Sequence, residues 1–142
     1  MDREKLKQYK AMLREQQQLE KKIDRLYAQI DKLPAVMDKV EASQKEFPYI
    51  RVHLPVQANP PEEYRRLDDR IREHEQHKEE IEELICEIET FIRLIPDSVD
   101  RQIFEMIFID GMTQEEVGEK LNMARSTISK RIARQLSHNS HF

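Results

Sequence analysis

The chain has 142 residues, 38% of them hydrophobic, 37% charged and 6% aromatic, with two glycines, one cysteine and no tryptophan. So high a charged fraction with so little glycine points to long solvated helices, and two glycines exclude a glycine-rich phosphate loop. The net charge of −4 is uneven: residues 120–142 carry five basic side chains and no acidic one, which leaves −9 on the remainder. A basic end on an acidic chain is the electrostatic footprint of a nucleic-acid contact. The lone Cys86 gives neither an internal disulfide nor a metal framework. No uncharged apolar run reaches ~18 residues, so no membrane helix is expected. Residues 1–5 lack an apolar signal core, which makes the cytoplasm the expected location.

Residues 3–33 contain no proline or glycine and predict one helix. Heptad phasing puts Tyr9, Gln16, Ile23 and Ile30 at a, and Met12, Leu19, Leu26 and Leu33 at d. Pro34 ends it. The linker 34–61 has no steady period; its residues 49–54 alternate like a short edge strand bracketed by prolines. Pro61 then suits the first turn of a second helix over 62–95, with Glu62 and Glu63 favourable at its start. Tyr64, Ile71, Lys78, Ile85 and Ile92 fall at a, and Leu67, His74, Ile81, Ile88 and Ile95 at d.

Charge decides how these helices pair. Residues 1–33 hold nine basic and six acidic side chains, whereas residues 62–95 hold six and twelve. All four e positions of the second helix (Asp68, Glu75, Glu82 and Glu89) are acidic, so an antiparallel self-pair would set like charges together. An antiparallel coiled-coil hairpin of the two different helices is therefore expected. Leu6 and Leu13 at e, with Leu84 and Phe91 at g, widen the apolar stripe beyond a two-helix seam. Either the C-terminal segment packs there or two hairpins do; the expectation is a homodimer through the coiled coil.

After Pro96, Ser98 is the expected cap of a helix whose first turn contains Asp100. Val99, Ile103, Met106 and Ile107 line one face of it, with Phe104 and Phe108 beside them, and Asp110-Gly111 stops it, glycine supplying the left-handed conformation. Thr113-Gln114-Glu115-Glu116 is a capping box opening a short helix that breaks at Asn122-Met123. A last helix begins near Arg125. Val117, Leu121, Met123, Ile128 and Ile132 supply a small core; Gly118 suits a close approach, and Asn122 suits a left-handed turn.

This Gly111–Ile132 run looks like a helix-turn-helix. With the helix before it, the span from about Pro96 to Leu136 resembles region 4 of sigma-70-type factors, which implies a domain that reads promoter DNA. Coiled-coil helices followed by such a domain resemble small phage transcriptional regulators of the RinA/ArpU kind. That resemblance implies a bacterial or prophage activator of late genes that binds double-stranded DNA. A full sigma factor also has an aromatic-rich segment that melts DNA; with no such segment here, stand-alone sigma activity is not expected.

With Ile128 and Ile132 inward, Ser126, Lys130, Ala133 and Arg134 turn outward. Arg125, Ser126, Ser129 and Lys130 are the candidate base contacts, since arginine and lysine pair with guanine in the major groove. Thr113, Gln114, Thr127, Arg131 and Arg134 are candidates for the DNA backbone, contacts that position without specifying.

His74 and His77, spaced i, i+3, are better read as one polar core position and one flank than as metal ligands, because no third ligand is indicated. The acidic run from Glu73 to Glu89 reads as a solvated face. No nucleophile triad stands at a recognisable spacing, so neither an enzyme nor a cofactor is expected. The combined expectation is an all-α protein: a hairpin over 1–95, a sigma region 4-like helix-turn-helix over 96–136, and a disordered tail over 137–142. The alternatives are a module that docks on RNA polymerase or another protein, and a small phage packaging subunit.

Overall fold

Asp2 opens the first helix, its carboxylate accepting the Glu4 backbone N–H at 3.3 Å. The computed structural model describes residues 1–33 and 61–139, and every regular element in them is helical. The elements are α1 (Arg3–Lys7), α2 (Tyr9–Asp31), α3 (Glu62–Arg93), α4 (Ser98–Phe104), a π-helical turn (Glu105–Ile109), α5 (Gln114–Leu121) and α6 (Arg125–Asn139). The fold is thus all-α with a long helical hairpin, as the periodicity predicts. Residues 34–60, including the strand expected over 49–54, lie outside the described residues, as do 140–142.

Two boundaries differ from the expectation. The first predicted helix is interrupted at Gln8, whose N–H donates to the Lys5 carbonyl three residues back at 3.2 Å. That local tightening separates α1 from α2. At the other end α6 continues through residues 137–139, which the polar sequence suggested would be tail.

The chain divides into two compact units: Met1–Gln16 with Glu80–Phe142, and Gln17–Glu79. In the second unit α2 and α3 run antiparallel. Ile23, Leu26, Ile30, Leu67 and Ile71 form its core, with Leu33 and Tyr64 packed against them. Lys78, a charged residue at a core-facing position, reaches Glu20 of α2 at 3.4 Å, so its alkyl stem covers the seam while its ammonium stays paired.

In the first unit the N-terminal helices and the end of α3 also pair antiparallel. Gln16 Nε2 donates to Glu82 Oε1 at 3.2 Å, Tyr9 Oη donates to Glu89 Oε2 at 2.7 Å, and Lys5 Nζ meets Glu87 at 3.0 Å. Two of the acidic e positions thereby satisfy the polar groups at a on the opposing helix. Burial, then the hydrogen bond to Glu89, pushes the Tyr9 hydroxyl up to about 12, so it remains a donor throughout the physiological range.

At the wider stripe the structure shows the first of the two expected surfaces, the C-terminal segment. Leu6 is fully buried and lines a groove with Phe108 and Ile132 of the C-terminal helices. Phe91 meets the Phe104 ring edge-on, centroids 5.9 Å apart. The same chain covers both residues, so neither requires a second copy.

Candidate nucleic-acid interface

The site is built from the turn outward. α4 is capped by Asp97, not Ser98: the Asp97 carboxylate accepts the N–H groups of Val99 at 2.8 Å and Asp100 at 3.1 Å. Aspartate here starts the helix one residue earlier than expected, and Ser98 instead accepts from Gln102 Nε2 at 3.2 Å. The π-helical turn follows, with the Asp110 N–H donating to the Glu105 carbonyl at 2.9 Å. This five-residue hydrogen bond inserts one extra residue into the turn. It shifts the inward face from Ile107, which is half-buried, to Phe108, which is buried. Gly111 then takes φ +79°, and the Met112 N–H closes the helix end on the Met106 carbonyl at 2.9 Å.

The helix-turn-helix has the local geometry its residues predict. Thr113 Oγ1 accepts the Glu116 N–H at 3.2 Å, and its hydroxyl donates to the Glu116 carboxylate. Asn122 ends α5 in the left-handed conformation, φ 54° and ψ 48°. The need for glycine at 118 comes from the turn itself: a Cβ there would lie 2.6 Å from the Met123 carbonyl oxygen. Gly118→Ala gains helix propensity but must push that carbonyl away, and a net loss of about 1–2 kcal/mol is expected. Urea denaturation checks it; a variant as stable as the parent would mean the turn yields freely.

Val117, Ile128 and Ile132 are fully or almost fully buried, while Leu121 and Met123 are half-buried beside them. That core fixes the rotation of α6. Ser126, Lys130 and Ala133 are left on its exposed face, with Arg125 and Thr127 exposed at its first turn and Ser129 half-buried at the flank. Arg125 Nη1 lies 3.4 Å from Glu115 Oε1 across the turn, an exposed contact that water and salt weaken. Thr113 is exposed as the α5 cap and Gln114 is half-buried next to it.

Arg131 and Arg134 occupy a different position. Both reach the carboxylate of Asp100 on α4, which has no exposed surface. Arg131 Nη1 donates to Oδ1 at 2.8 Å, Arg134 Nη2 to Oδ2 at 3.3 Å, and Gln135 Nε2 to Oδ2 at 2.7 Å. Burial by itself would raise the Asp100 carboxyl, but the hydrogen bonds from Arg131, Gln135 and Arg134 outweigh it and hold the group below its usual value. The Arg131 guanidinium is committed to this ion pair, 27% exposed, whereas Arg134 remains 65% exposed. Sequence reasoning placed Asp100 only in a helix first turn. The overlooked signal is its position three and four residues before Ile103 and Phe104, which puts an acid on the buried stripe.

Among the described residues no cluster of three or more metal-ligating side chains occurs, and no helix is long and apolar enough to cross a membrane. His74 sits half-buried along α3 and His77 is exposed.

The last two helices thus form a helix-turn-helix with a buried core, a left-handed asparagine turn, and an exposed face that carries Arg125 and Lys130. Residues 97–138 match the family model described as Sigma-70, region 4. The matched segment is a DNA-binding helix-turn-helix region and extends from the α4 cap almost to the end of α6. No curated protein and no solved structure matches the chain.

Proposed function

We propose that the chain is a sequence-specific transcriptional regulator that reads promoter or operator DNA through α6. The observation that carries this reading is the partition of the last helix. One side is spent on the core and on Asp100, while Arg125, Ser126 and Lys130 are left exposed on a segment that matches sigma-70 region 4. In this reading Arg125, Ser126, Ser129 and Lys130 face base edges in the major groove. Thr113, Gln114, Thr127 and Arg134 lie toward phosphates, and Arg131 acts by holding the helix in place. The order of coiled coil and C-terminal helix-turn-helix supports a regulator of the phage RinA/ArpU kind, working in the cytoplasm with RNA polymerase. Two copies joined through the hairpin, where Leu13 and Leu84 stay half-buried, would present two reading heads to half-sites ~34 Å apart.

The test is selection of binding fragments from bacterial and prophage DNA at ~0.15 M salt, followed by footprinting; salt is fixed because phosphate contacts alone give non-specific affinity. Enrichment of a short site with two half-sites is expected. Arg125→Ala should then lose about 1–3 kcal/mol on that site and relax the preference at one position, with little effect on random duplex. Equal losses on both duplexes would remove Arg125 from base reading, and no enrichment at all would remove the DNA-reading function.

A further inference from the structure

The helix-turn-helix is not the only basic surface of the first unit. Arg3, Lys7, Lys10 and Arg14 recur at i, i+4, i+7 and i+11 along α1 and α2, a spacing that places them on one helical face. This face lies beside the buried Leu6, so it borders the side on which the C-terminal helices pack. Lys7, Lys10 and Arg14 are exposed and Arg3 is half-exposed. Glu4 is an acidic neighbour of the stripe, 3.8 Å from Lys7, with both groups mostly exposed. An ion pair of that length and exposure contributes little to folding.

The stripe also has a fixed place relative to the reading head. Arg3, Lys7 and Lys10 form one wall of a groove of about 330 Å³, and Gly111 and Gln114 form part of the other. Lys10 Nζ donates to the Asp110 carbonyl at 3.0 Å. Asp110 precedes Thr113 and Gln114, the N-terminal edge of α5, where a helix-turn-helix meets the phosphate backbone. Arg3, Lys7 and Lys10 thus border that edge, with Arg14 one turn farther along α2.

The geometry points to an extended DNA footprint: the Arg3–Lys7–Lys10–Arg14 face binds the phosphate backbone flanking the half-site read by α6. It rests on the DNA-reading function proposed above and adds to it a contact from outside the sigma-like segment. The charge fits this ligand. Consecutive cations on one helix face are about 5–6 Å apart, so the row sets repeated positive charge against a backbone that carries one phosphate per ~3.4 Å of axis on each strand. No base edge is reached from there, so the stripe adds affinity without adding sequence preference.

The test compares the full chain with the triple variant Arg3→Gln, Lys7→Gln, Arg14→Gln. Lys10 is left in place because it also ties down the Asp110 turn. Glutamine keeps helix propensity, and a thermal melt matching the parent verifies folding. A charge-matched control replaces Arg65, Arg66 and Arg70 of α3, all exposed, with glutamine. Binding to the selected site and to a random duplex of equal length is followed by fluorescence anisotropy across a salt series. Every phosphate left without its cation should lower the slope of log affinity against log salt by about 0.9. The triple variant is therefore expected to lose about two to three units of slope and to weaken equally on both duplexes, keeping its specificity ratio. Trimming the duplex flank beyond the half-site should abolish the difference from the parent.

A parent slope retained by the triple variant, or an equal loss in the control, overturns the extended footprint while leaving the reading head intact. A changed specificity ratio also overturns it, since the stripe would then be reading sequence. A parent that binds neither duplex overturns both readings at once.

Discussion

Replacing Phe104 with alanine should destabilise the protein by about 4 kcal/mol, within the range for large aromatic-to-alanine changes in a core. The ring is completely buried. It stands edge-on to Phe91 of α3 and tilted against Phe108, with centroids 5.9 and 5.4 Å away. Such pairs contribute beyond their buried area, and here the same ring meets Phe91 of α3 on one side and Phe108 of the π-helical turn on the other. Its removal opens a cavity that neither neighbour can fill, because α3 is held by its seam and Phe108 by the π-helical turn. With an m-value of about 2 kcal/mol per molar, the urea midpoint should fall by about 2 M. A loss under about 1 kcal/mol would mean that the surrounding helices close over the gap, and that this aromatic cluster does not join the two parts of the first unit.

The second large effect is expected at Asp100. Asp100→Ala removes the acceptor of three donors, and breaking a buried pair typically costs about 3–5 kcal/mol. Arg131 and Arg134 are partly exposed and regain water, so the lower end, about 3 kcal/mol, is the expected value. The pH dependence has a definite sign. The folded carboxyl lies below its unfolded value, so the unfolded chain binds the proton more readily. The contribution of Asp100 is complete above the ordinary aspartate range near pH ~3.9 and is lost as the pH falls through that range toward the folded value. Melting the parent and Asp100→Asn from about pH 7 to about pH 3 should show a constant gap down to about pH 5 that narrows below about pH 4. A gap that stays constant to the acid end would assign the loss to packing instead of charge.

Much of this architecture is legible in the residues because its causes are local. The heptads mark the core of the hairpin: Tyr9, Met12, Leu19, Ile23, Leu26, Ile30, Leu67, Ile71, Ile81, Ile85, Ile88 and Ile92 are all buried. Thr113, Gly111 and Asn122 set their own backbone conformations, so their roles follow from residue type. What escaped is decided by competition or by distance. Asp97 and Ser98 are both capping residues, and only packing of the following helix selects between them. The π-helical turn over Glu105–Ile109 carries no glycine, proline or capping residue that would mark it in the sequence. Leu6 and Phe91 were legible as needing a partner surface, but which surface depended on elements far apart in the chain. Arg131 was visible as a cation; that it is bound to Asp100 is a tertiary fact.

The separation of duties on α6 has a bearing on how such a head changes over time. Its inward side, with Ile128 and Ile132, and its Asp100 clamp secure the pitch and rotation of the helix. Ser126, Lys130 and Ala133 stand exposed on the opposite side and contribute little to folding. Substitutions at such positions ordinarily shift stability by no more than about 0.5 kcal/mol. In the DNA-reading role proposed above, the words the helix reads could therefore be rewritten one letter at a time while its grammar, the angle at which it would meet the groove, stays in place. New operators would then be within reach of single mutations that the scaffold does not feel.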